Sequence, residues 1–277
     1  MTARFSRESA DERPTHARID FGEIYEQSLV GPLFRPWVAP LLDDVEFGPH
    51  DALLDVACGT GIVARVASER LGPGGRVVGV DLNPQMLAVA RRVAPAIDWR
   101  QGDAGALPLG TDERFDVVVC QQGFQFFPDR AAAARQMHRA LAGGGRLGLS
   151  SWQHDDEFGL LRSLREIAER HLGPIADRRY GLGDPVAVER VLGEAGFHDI
   201  RSRQITRTLH HADGPTFVRL NAMALVGMSA AFAALDDKAR QRLVATIVDD
   251  SADLLGRQTD AAGLALEIGT HVVLARA

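Results

Sequence analysis

The sequence predicts an α/β fold with a doubly wound, mostly parallel sheet. Between residues 52 and 153, five short runs rich in Val, Ile and Leu alternate with amphipathic helical stretches. Strands joined in this way need right-handed crossover connections, which place helices on both faces of a parallel sheet. The five predicted strands are Ala52–Ala57, Arg76–Asp81, Ile97–Asp103, Phe115–Gln122 and Arg146–Gln153.

The helical stretches between these strands carry signals for where they begin and end. A helix from about Ile62 to Arg70 follows a glycine turn. Asn83 is expected to cap a helix over Pro84–Ala94, because proline is favoured at the first helical position. A further helix, Arg130–Leu141, is expected to stop at the glycine run 143–145.

The pattern changes after residue 155. Phe158–Leu172 and Pro185–Ala195 are predicted helices, whereas Ile200–His211 and Leu264–Ala275 are predicted strands. The mostly helical segment between these strands, Gly214 to about Arg257, is either an ordinary packed helical pair or a lid over the open edge of the sheet. The expected divisions are an N-terminal tail and helical cover (1–44), an α/β core (45–212), a helical insertion or lid (213–260) and a final core strand (261–277).

Composition limits the functional classes that the chain can belong to. A formal net charge of −6 over 277 residues gives no general attraction to nucleic acid. The only cysteines, Cys58 and Cys120, lie in apolar runs, which fits a cytoplasmic protein without a disulfide framework. The charged N-terminus lacks the apolar core of a signal peptide, and no run of about 18 apolar residues indicates membrane insertion. A homodimer is compatible with these features.

The first predicted strand runs directly into a glycine turn and a helix. Gly59 and Gly61 allow a tight turn and a close approach to a ligand, and the following helix directs its free N–H groups towards this turn. Asp55, four residues before Gly59, adds a carboxylate, which favours a ligand with a positively charged end. Because residues 59–64 also satisfy the G-x-G-x-x-G/A pattern, an NAD-dependent Rossmann oxidoreductase remains an alternative.

Polar residues at the ends of the next strands indicate a nucleoside. Asp81, twenty residues after Gly61, can accept hydrogen bonds from both hydroxyls of a ribose, or it can cap the next helix. Asp103, between Gly102 and Ala104, can accept from an adenine amino group, or it can belong to a simple turn. The stretch after the fourth strand, residues 120–128, combines aromatic rings with three glutamines, whose amides need partners if they are buried.

Together, the runs LLDVACGTG, VVGVDLNPQML, GDAGALP, FDVVVCQQGFQFFPD and GGGRLGLSSW resemble the class I S-adenosylmethionine-dependent methyltransferases. The resemblance covers residues 50–153 and is greatest to the small-molecule branch that includes the quinone-biosynthesis C-methyltransferases. It implies a Rossmann-like, mostly parallel seven-stranded sheet with an antiparallel last strand, N-terminal helices and a helical insertion between the last two strands. The implied cofactor is S-adenosyl-L-methionine, with S-adenosyl-L-homocysteine as product.

The resemblance also implies which residues hold the cofactor. Asp55 and the turn 59–61 would hold the methionine end, Asp81 the ribose, and Asp103 the adenine. Three N-terminal aromatic residues are carried over as a cover, although each could instead pack a helix onto the sheet. The full expected set is Tyr25, Phe34, Trp37, Asp55, Ala57, Gly59, Thr60, Gly61, Asp81, Leu82, Met86, Gly102, Asp103, Ala104, Gln121 and Gln122.

Methyl transfer from a sulfonium needs little acid–base chemistry, because the methyl group is already electrophilic. The enzyme must align a nucleophile and exclude water, and it needs a general base only if the acceptor must lose a proton. Candidate bases are His154, His210 and His211, each of which could also be a solvent-exposed histidine. No metal site is expected, because two cysteines without paired histidine spacing supply too few ligands.

We therefore expect a methyltransferase for a small-molecule acceptor, with O- or C-methylation favoured over N-methylation. The oxidoreductase alternative lacks a Tyr-x-x-x-Lys pair. A second alternative is a protein that binds S-adenosylmethionine without transferring the methyl group. A nucleic-acid methyltransferase is disfavoured by the acidic charge balance and by the lack of an Asn/Asp-Pro-Pro-Tyr signature after the fourth strand.

Overall fold

An eight-stranded mixed sheet forms the centre of the structure, a computed structural model that describes residues 21–277. The strands are β1 Ala52–Val56, β2 Arg76–Asp81, β3 Asp98–Gln101, β4 Phe115–Gln121, β5 Leu141–Trp152, β6 His198–His211, β7 Thr259–Asp260 and β8 Gly263–Arg276. Their order is β3-β2-β1-β4-β5-β8-β6, and β7 pairs with one end of β8. The first five strands are parallel, and β8 runs antiparallel to both of its long neighbours. The predicted fold class is confirmed, with the two-residue β7 as an additional strand.

The helices begin and end close to their sequence signals. Asn83 caps the helix after β2 by accepting a hydrogen bond from the Gln85 N–H. A π-helix, Glu26–Phe34, follows the first α-helix, and short 3-10 helices include Arg35–Trp37, Phe124–Phe126 and Arg178–Tyr180. The α-helices are α1 Phe21–Tyr25, α2 Val38–Val45, α3 Ile62–Arg70, α4 Pro84–Val93, α5 Arg130–Ala140, α6 Gly159–Leu172, α7 Pro185–Glu194, α8 Gly214–Val226, α9 Ala230–Ala233, α10 Asp237–Asp250 and α11 Ala252–Gln258.

The prediction that the glycine run 143–145 stops a helix is wrong. Helix α5 ends at Ala140, and β5 already begins at Leu141, so the glycines lie inside the strand. The register with β4 shifts there, since Phe115 pairs with Leu141 but Val117 pairs with Arg146. The glycines are held by the other end of the chain, because the Gly144 N–H donates to the Ala277 carbonyl and the Ala277 N–H to that of Gly145. This bulge depends on a contact that is distant in sequence.

Both faces of the sheet are buried, which explains the continuous apolar character of its central strands. Adjacent β1 residues point to opposite faces, so Leu53 packs with α2, α3 and α4 whereas Leu54 packs with α5 and α7. Both side chains are fully buried. Asp55 is the polar exception within this strand, and its burial indicates a role other than packing.

The helices between β6 and β8 pack around α6 and not over the ends of β1 to β4. Side chains of α6, α8 and α10 form an apolar cluster that includes Ile167, Leu225 and Ile247. None of the helices described between residues 21 and 277 combines the length and apolar composition of a membrane span.

Replacing Gly61 with alanine should destabilise the fold by about 2–4 kcal/mol. Gly61 has a φ of 86°, and an added Cβ would lie 2.2 Å from the Trp99 ring, which is itself fixed by a hydrogen bond from its Nε1 to the Ala94 carbonyl. Urea unfolding measures the change. Gly256→Ala is the control, because its Cβ would meet no atom within 4 Å inside α11. Equal stability of the two variants would contradict the prediction.

Candidate active site

A cleft of about 690 Å³ lies where β1, β2 and β4 end. The carboxyl ends of parallel strands are the usual ligand-binding edge of such sheets, and the volume lies in the usual range of about 300–1,000 Å³ for small-molecule sites. Its walls come from the strand ends, from the N-terminal residues Phe21, Tyr25 and Phe34, and from Arg178.

The glycine turn after β1 is fixed by backbone and carboxylate hydrogen bonds. The Cys58 N–H donates to the Val80 carbonyl at 3.0 Å, and the Gly59 N–H donates to Asp81 Oδ2 at 2.8 Å. Ala57 and Gly59 both adopt left-handed backbone conformations, each with a φ of 57°. The turn is therefore attached to the end of β2.

Asp55 is a buried carboxylate beneath this turn. Its Oδ2 accepts a hydrogen bond of 3.0 Å from the Ala64 N–H in the first turn of α3. Burial raises the pKa of Asp55 to about 8, a rise that the Ala64 hydrogen bond opposes and the Asp81 charge increases. Asp55 therefore changes its charge near neutral pH.

Asp81 uses both carboxylate oxygens within the protein. Oδ2 accepts from the Gly59 N–H, and Oδ1 accepts from the Asn83 N–H at 2.8 Å. Burial raises its pKa above the ordinary range, and these hydrogen bonds oppose the rise. Because each carboxylate oxygen has more than one lone pair, both can accept a further hydrogen bond from a ligand.

Two glutamines at the end of β4 line the cleft, and the NH₂ group of each already donates to the protein. Gln121 Nε2 donates to the Phe34 carbonyl at 3.1 Å, and Gln122 Nε2 donates to Thr270 Oγ1 at 2.9 Å. Thr270 donates its own proton to the Ser151 carbonyl, so it can only accept from Gln122, and this fixes the orientation of that amide. The Oε1 atoms of Gln121 and Gln122 have no partner among residues 21–277, and both residues line the cleft.

The rings of Tyr25 and Phe34 form an aromatic cover at the cleft, and further aromatic rings pack behind them. The ring centroids of Tyr25 and Phe34 lie 5.0 Å apart, and Phe34 also contacts Trp152, which meets Trp37 edge-on. Tyr25 lies against Gly59. Burial, with the nearby charges of Asp81 and Glu26, raises the pKa of the Tyr25 phenol, so it stays protonated at neutral pH.

Charged and polar contacts attach this cover to the core. Glu26 pairs with Arg65 at 2.8 Å, and Glu23 pairs with Arg92 at 2.7 Å. His211 Nδ1 accepts from the Asp213 N–H at 3.2 Å, so its Nε2 carries the proton and donates to the Ser28 carbonyl at 2.8 Å. The cover is therefore joined to α3, α4 and the end of β6.

Most of the residues expected at the site surround this one cleft. Three do not line it: Trp37 is buried behind the cover against Trp152, Thr60 is buried in the turn, and Gly61 faces Trp99. Those that line it are Tyr25, Phe34, Asp55, Ala57, Gly59, Asp81, Leu82, Met86, Gly102, Asp103, Ala104, Gln121 and Gln122.

None of the three candidate histidines lines the cleft as the described residues form it. His154 is exposed, and its Nδ1 lies 3.2 Å from an Asp156 carboxylate oxygen. His210 faces Asp260 on the surface of β6, at 3.1 Å. His211 is buried and holds the cover, so its side chain already has a structural function.

Sequence patterns did not indicate two residues that line the cleft, Phe21 and Arg178. Phe21 begins α1, just after the residues that the structure does not describe. Arg178 lies far along the chain from the glycine turn, in a short 3-10 helix with no motif of its own. Only the folded arrangement brings Arg178 to the cleft.

Comparisons with known proteins place the chain in a family. A family model described as a methyltransferase domain matches residues 53–145. A 2-phytyl-1,4-naphtoquinone methyltransferase from Thermosynechococcus vestitus is 33% identical over 54% of this chain and 67% of its own length. The chain belongs to the class I S-adenosylmethionine-dependent methyltransferases. Its methyl donor is S-adenosylmethionine, and the oxidoreductase and non-transferring alternatives are set aside.

Other relatives of the methyltransferase align over a smaller share of their own length. Nocamycin O-methyltransferase from Saccharothrix syringae is 43% identical over 61% of this chain and 57% of the relative. Among solved structures, phosphoethanolamine N-methyltransferase 2 from Haemonchus contortus, in complex with S-adenosyl-L-methionine, has a TM-score of 0.55 at 20% identity, covering 92% of this chain and 56% of that one. This structural likeness supports the fold alone.

The Asp55→Asn variant of the methyltransferase should gain stability over the wild type as the pH rises. The raised pKa means that the folded state binds a proton more tightly than the unfolded state, so this stabilisation is complete below about pH 4 and is lost as the pH rises through about 8. The stability difference should grow by at most about 1.4 kcal/mol per pH unit in this window and then level off. Urea unfolding between pH 5 and 9 measures it.

The exposed Asp112→Asn variant controls for the loss of one negative charge. If the stability of Asp55→Asn relative to wild type stays constant between pH 5 and 9, Asp55 does not titrate in this range.

Proposed function

We propose that the cleft holds S-adenosylmethionine and presents its methyl group to an oxygen or carbon atom of a small, partly apolar molecule. The observation that carries this proposal is the sequence of polar groups along the strand ends. In the sheet order β3-β2-β1-β4, the cleft is lined by Asp103, then Asp81, then Asp55, and then by Gln121 and Gln122, whose buried Oε1 atoms have no partner among residues 21–277. That order matches adenine, ribose and aminoacyl group along the cofactor.

The individual residues fit these parts of the cofactor. Asp81 has lone pairs left for ribose hydroxyls, and Met86 and Leu82 supply apolar surface beside the adenine. The two amide oxygens suit the hydrogen-bond donors of an ammonium group. Tyr25 and Phe34 would lie near the sulfonium, where aromatic faces stabilise positive charge.

In the proposed reaction the protein mainly positions the reactants and excludes water. The bound cofactor supplies a methyl group that its sulfonium makes electrophilic. The cover of Tyr25 and Phe34 shields this group, and Phe126 and Phe127 after β4 give an apolar surface for the acceptor. None of the candidate histidines borders the described cleft, so none of them is assigned as a base.

The relatives support a small-molecule acceptor. One is named for a phytyl-naphthoquinone and another for O-methylation of nocamycin. The net charge of −6 supports the expectation of no nucleic-acid partner. We also propose a cytoplasmic location, where the buried Cys58 and Cys120 would remain reduced, and leave a homodimer open.

The bounds of the helices and strands, and the residues that line the cleft, support a division of the chain into a cover, a core and an insertion. Residues 21–44 supply the cover, and residues 45–212 with the final strand 261–277 supply the sheet. The insertion 213–260 contributes no residue to the wall of the described cleft. We therefore favour a supporting role for this insertion over a lid on the cofactor.

Asp81→Ala should weaken S-adenosylmethionine binding by one hundredfold or more, because it removes charged acceptors for two hydroxyls at about 1.5–3 kcal/mol each and also the acceptor that holds the Gly59 turn. Isothermal titration calorimetry gives the dissociation constant. Asp236→Ala is the matched control, since it also removes a carboxylate that accepts a backbone N–H, at the start of α10 and away from the cleft. If both variants bind like the wild type, the ribose assignment is wrong.

When the protein is incubated with S-adenosylmethionine carrying a tritiated methyl group and with cell extract, the label should enter the organic-extractable small molecules. The reason is that Phe126 and Phe127 give the proposed acceptor site an apolar surface. Scintillation counting of extractable, protein and nucleic-acid fractions measures the distribution. Asp81→Ala should lower the extractable label in proportion to its loss of binding. Label found only in the protein or nucleic-acid fraction would refute a small-molecule acceptor.

A further inference from the structure

The charges that border the cleft are separated along the sheet. The carboxylates of Asp55 and Asp81 lie at the ends of β1 and β2, and that of Asp103 lies just after β3. Arg178 is the only Lys or Arg that lines the cleft within residues 21–277, and its 3-10 helix packs against β5 and the turn after β4. Because β4 and β5 lie on the other side of β1 from β2 and β3, the positive group lies in the half of the cleft away from the proposed nucleoside end.

The side chains next to Arg178 in the sequence, Asp177 and Arg179, already have partners within the protein. Asp177, buried to 4% exposure, accepts hydrogen bonds from Arg179 Nε at 2.9 Å and from its Nη2 at 2.6 Å. The Arg179 guanidinium lies 5.3 Å from the centroid of the buried Tyr180 ring. The carboxylate adjacent to Arg178 in the sequence, that of Asp177, is therefore already paired with Arg179. No carboxylate described between residues 21 and 277 pairs with Arg178 itself.

We infer that Arg178 binds an anionic oxygen group of the methyl acceptor, and that the acceptor is therefore a ring-containing acid. This inference rests on the function proposed above. A guanidinium matches the planar, delocalised charge of a carboxylate or of an ionised phenol or enol. Phe126, Phe127 and Phe34 provide the apolar surface on which the ring of such a molecule packs.

An acidic acceptor also fits a cleft that no histidine lines within residues 21–277. An oxygen that is already ionised in solution needs no protein base. One of its lone pairs forms the O–CH₃ bond, while the electrons of the C–S bond return to sulfur and leave a neutral thioether. Arg178 balances the acceptor's negative charge in a cleft that otherwise carries carboxylates.

The test compares matched charged and neutral probes on the protein saturated with S-adenosylhomocysteine. The pairs are 2-naphthoate with 2-naphthamide, and 2-hydroxy-1,4-naphthoquinone with its methyl ether, at pH 7.5 by calorimetry. In at least one pair the anion should bind the wild type tenfold or more tightly than its neutral partner. The pair that shows this preference distinguishes a carboxylate from an ionised enol.

Arg178→Gln should abolish the preference for the anion, Arg178→Lys should keep part of it, and both should retain wild-type affinity for S-adenosylhomocysteine. Arg190→Gln, an exposed arginine on α7 outside the cleft, is the control and should behave like the wild type.

Three results would overturn the inference: no preference for either anion in the wild type, a preference that survives in Arg178→Gln, or an equal loss of S-adenosylhomocysteine affinity in that variant. The last result would place Arg178 on the cofactor's carboxylate. If the wild type does not bind S-adenosylhomocysteine before any probe is added, the proposed function itself fails, so the two failures are distinguishable.

Discussion

The hydrogen bond from the Gly59 N–H to the Asp81 carboxylate is the contact on which the cleft depends. Together with the β1–β2 ladder and the hydrogen bond from the Cys58 N–H to the Val80 carbonyl, it holds the turn after β1 against the end of β2, between Asp55 and Asp81. The Tyr25 ring then packs on the same turn. Loss of this hydrogen bond would loosen the turn on which the Tyr25 ring packs, while the ion pairs of Glu23 and Glu26 would still hold the N-terminal helices to the core.

This arrangement has a cost in folding free energy. Two carboxylates whose pKa values are raised by burial lie at adjacent strand ends, and the amide oxygens of Gln121 and Gln122 have no partner among the described residues. Each unpaired buried polar atom costs about 1–3 kcal/mol. The fully buried apolar residues on both faces of β1 and β4 offset this cost. Such local instability is typical of ligand-binding sites in otherwise well-packed domains.

The sequence predicted what local patterns determine. The bounds of β2 and α3, the Asn83 cap and the glycine turn all follow from residues close together in the chain. The features that it missed depend on distant contacts. The glycine run pairs with Ala277, and Arg178 reaches the cleft only after the chain has crossed the sheet. Trp37 is expected at the cofactor from the family resemblance, and the candidate bases from their positions near the ends of strands; neither distinguishes an aromatic ring or imidazole at a ligand from one used in packing.

The orientation of the glutamine amides has a consequence for turnover. Gln121 and Gln122 both donate their NH₂ groups to protein oxygens, so each has an amide oxygen left to accept from a ligand at the end of β4. Together with the Asp81 carboxylate, these amide oxygens make the floor of the cleft attractive to positive charge. If the cofactor binds as proposed, it enters as a sulfonium cation and leaves as a neutral thioether, so methyl transfer itself weakens its attraction to the floor. We expect this loss of charge to favour release of the product over the methyl donor.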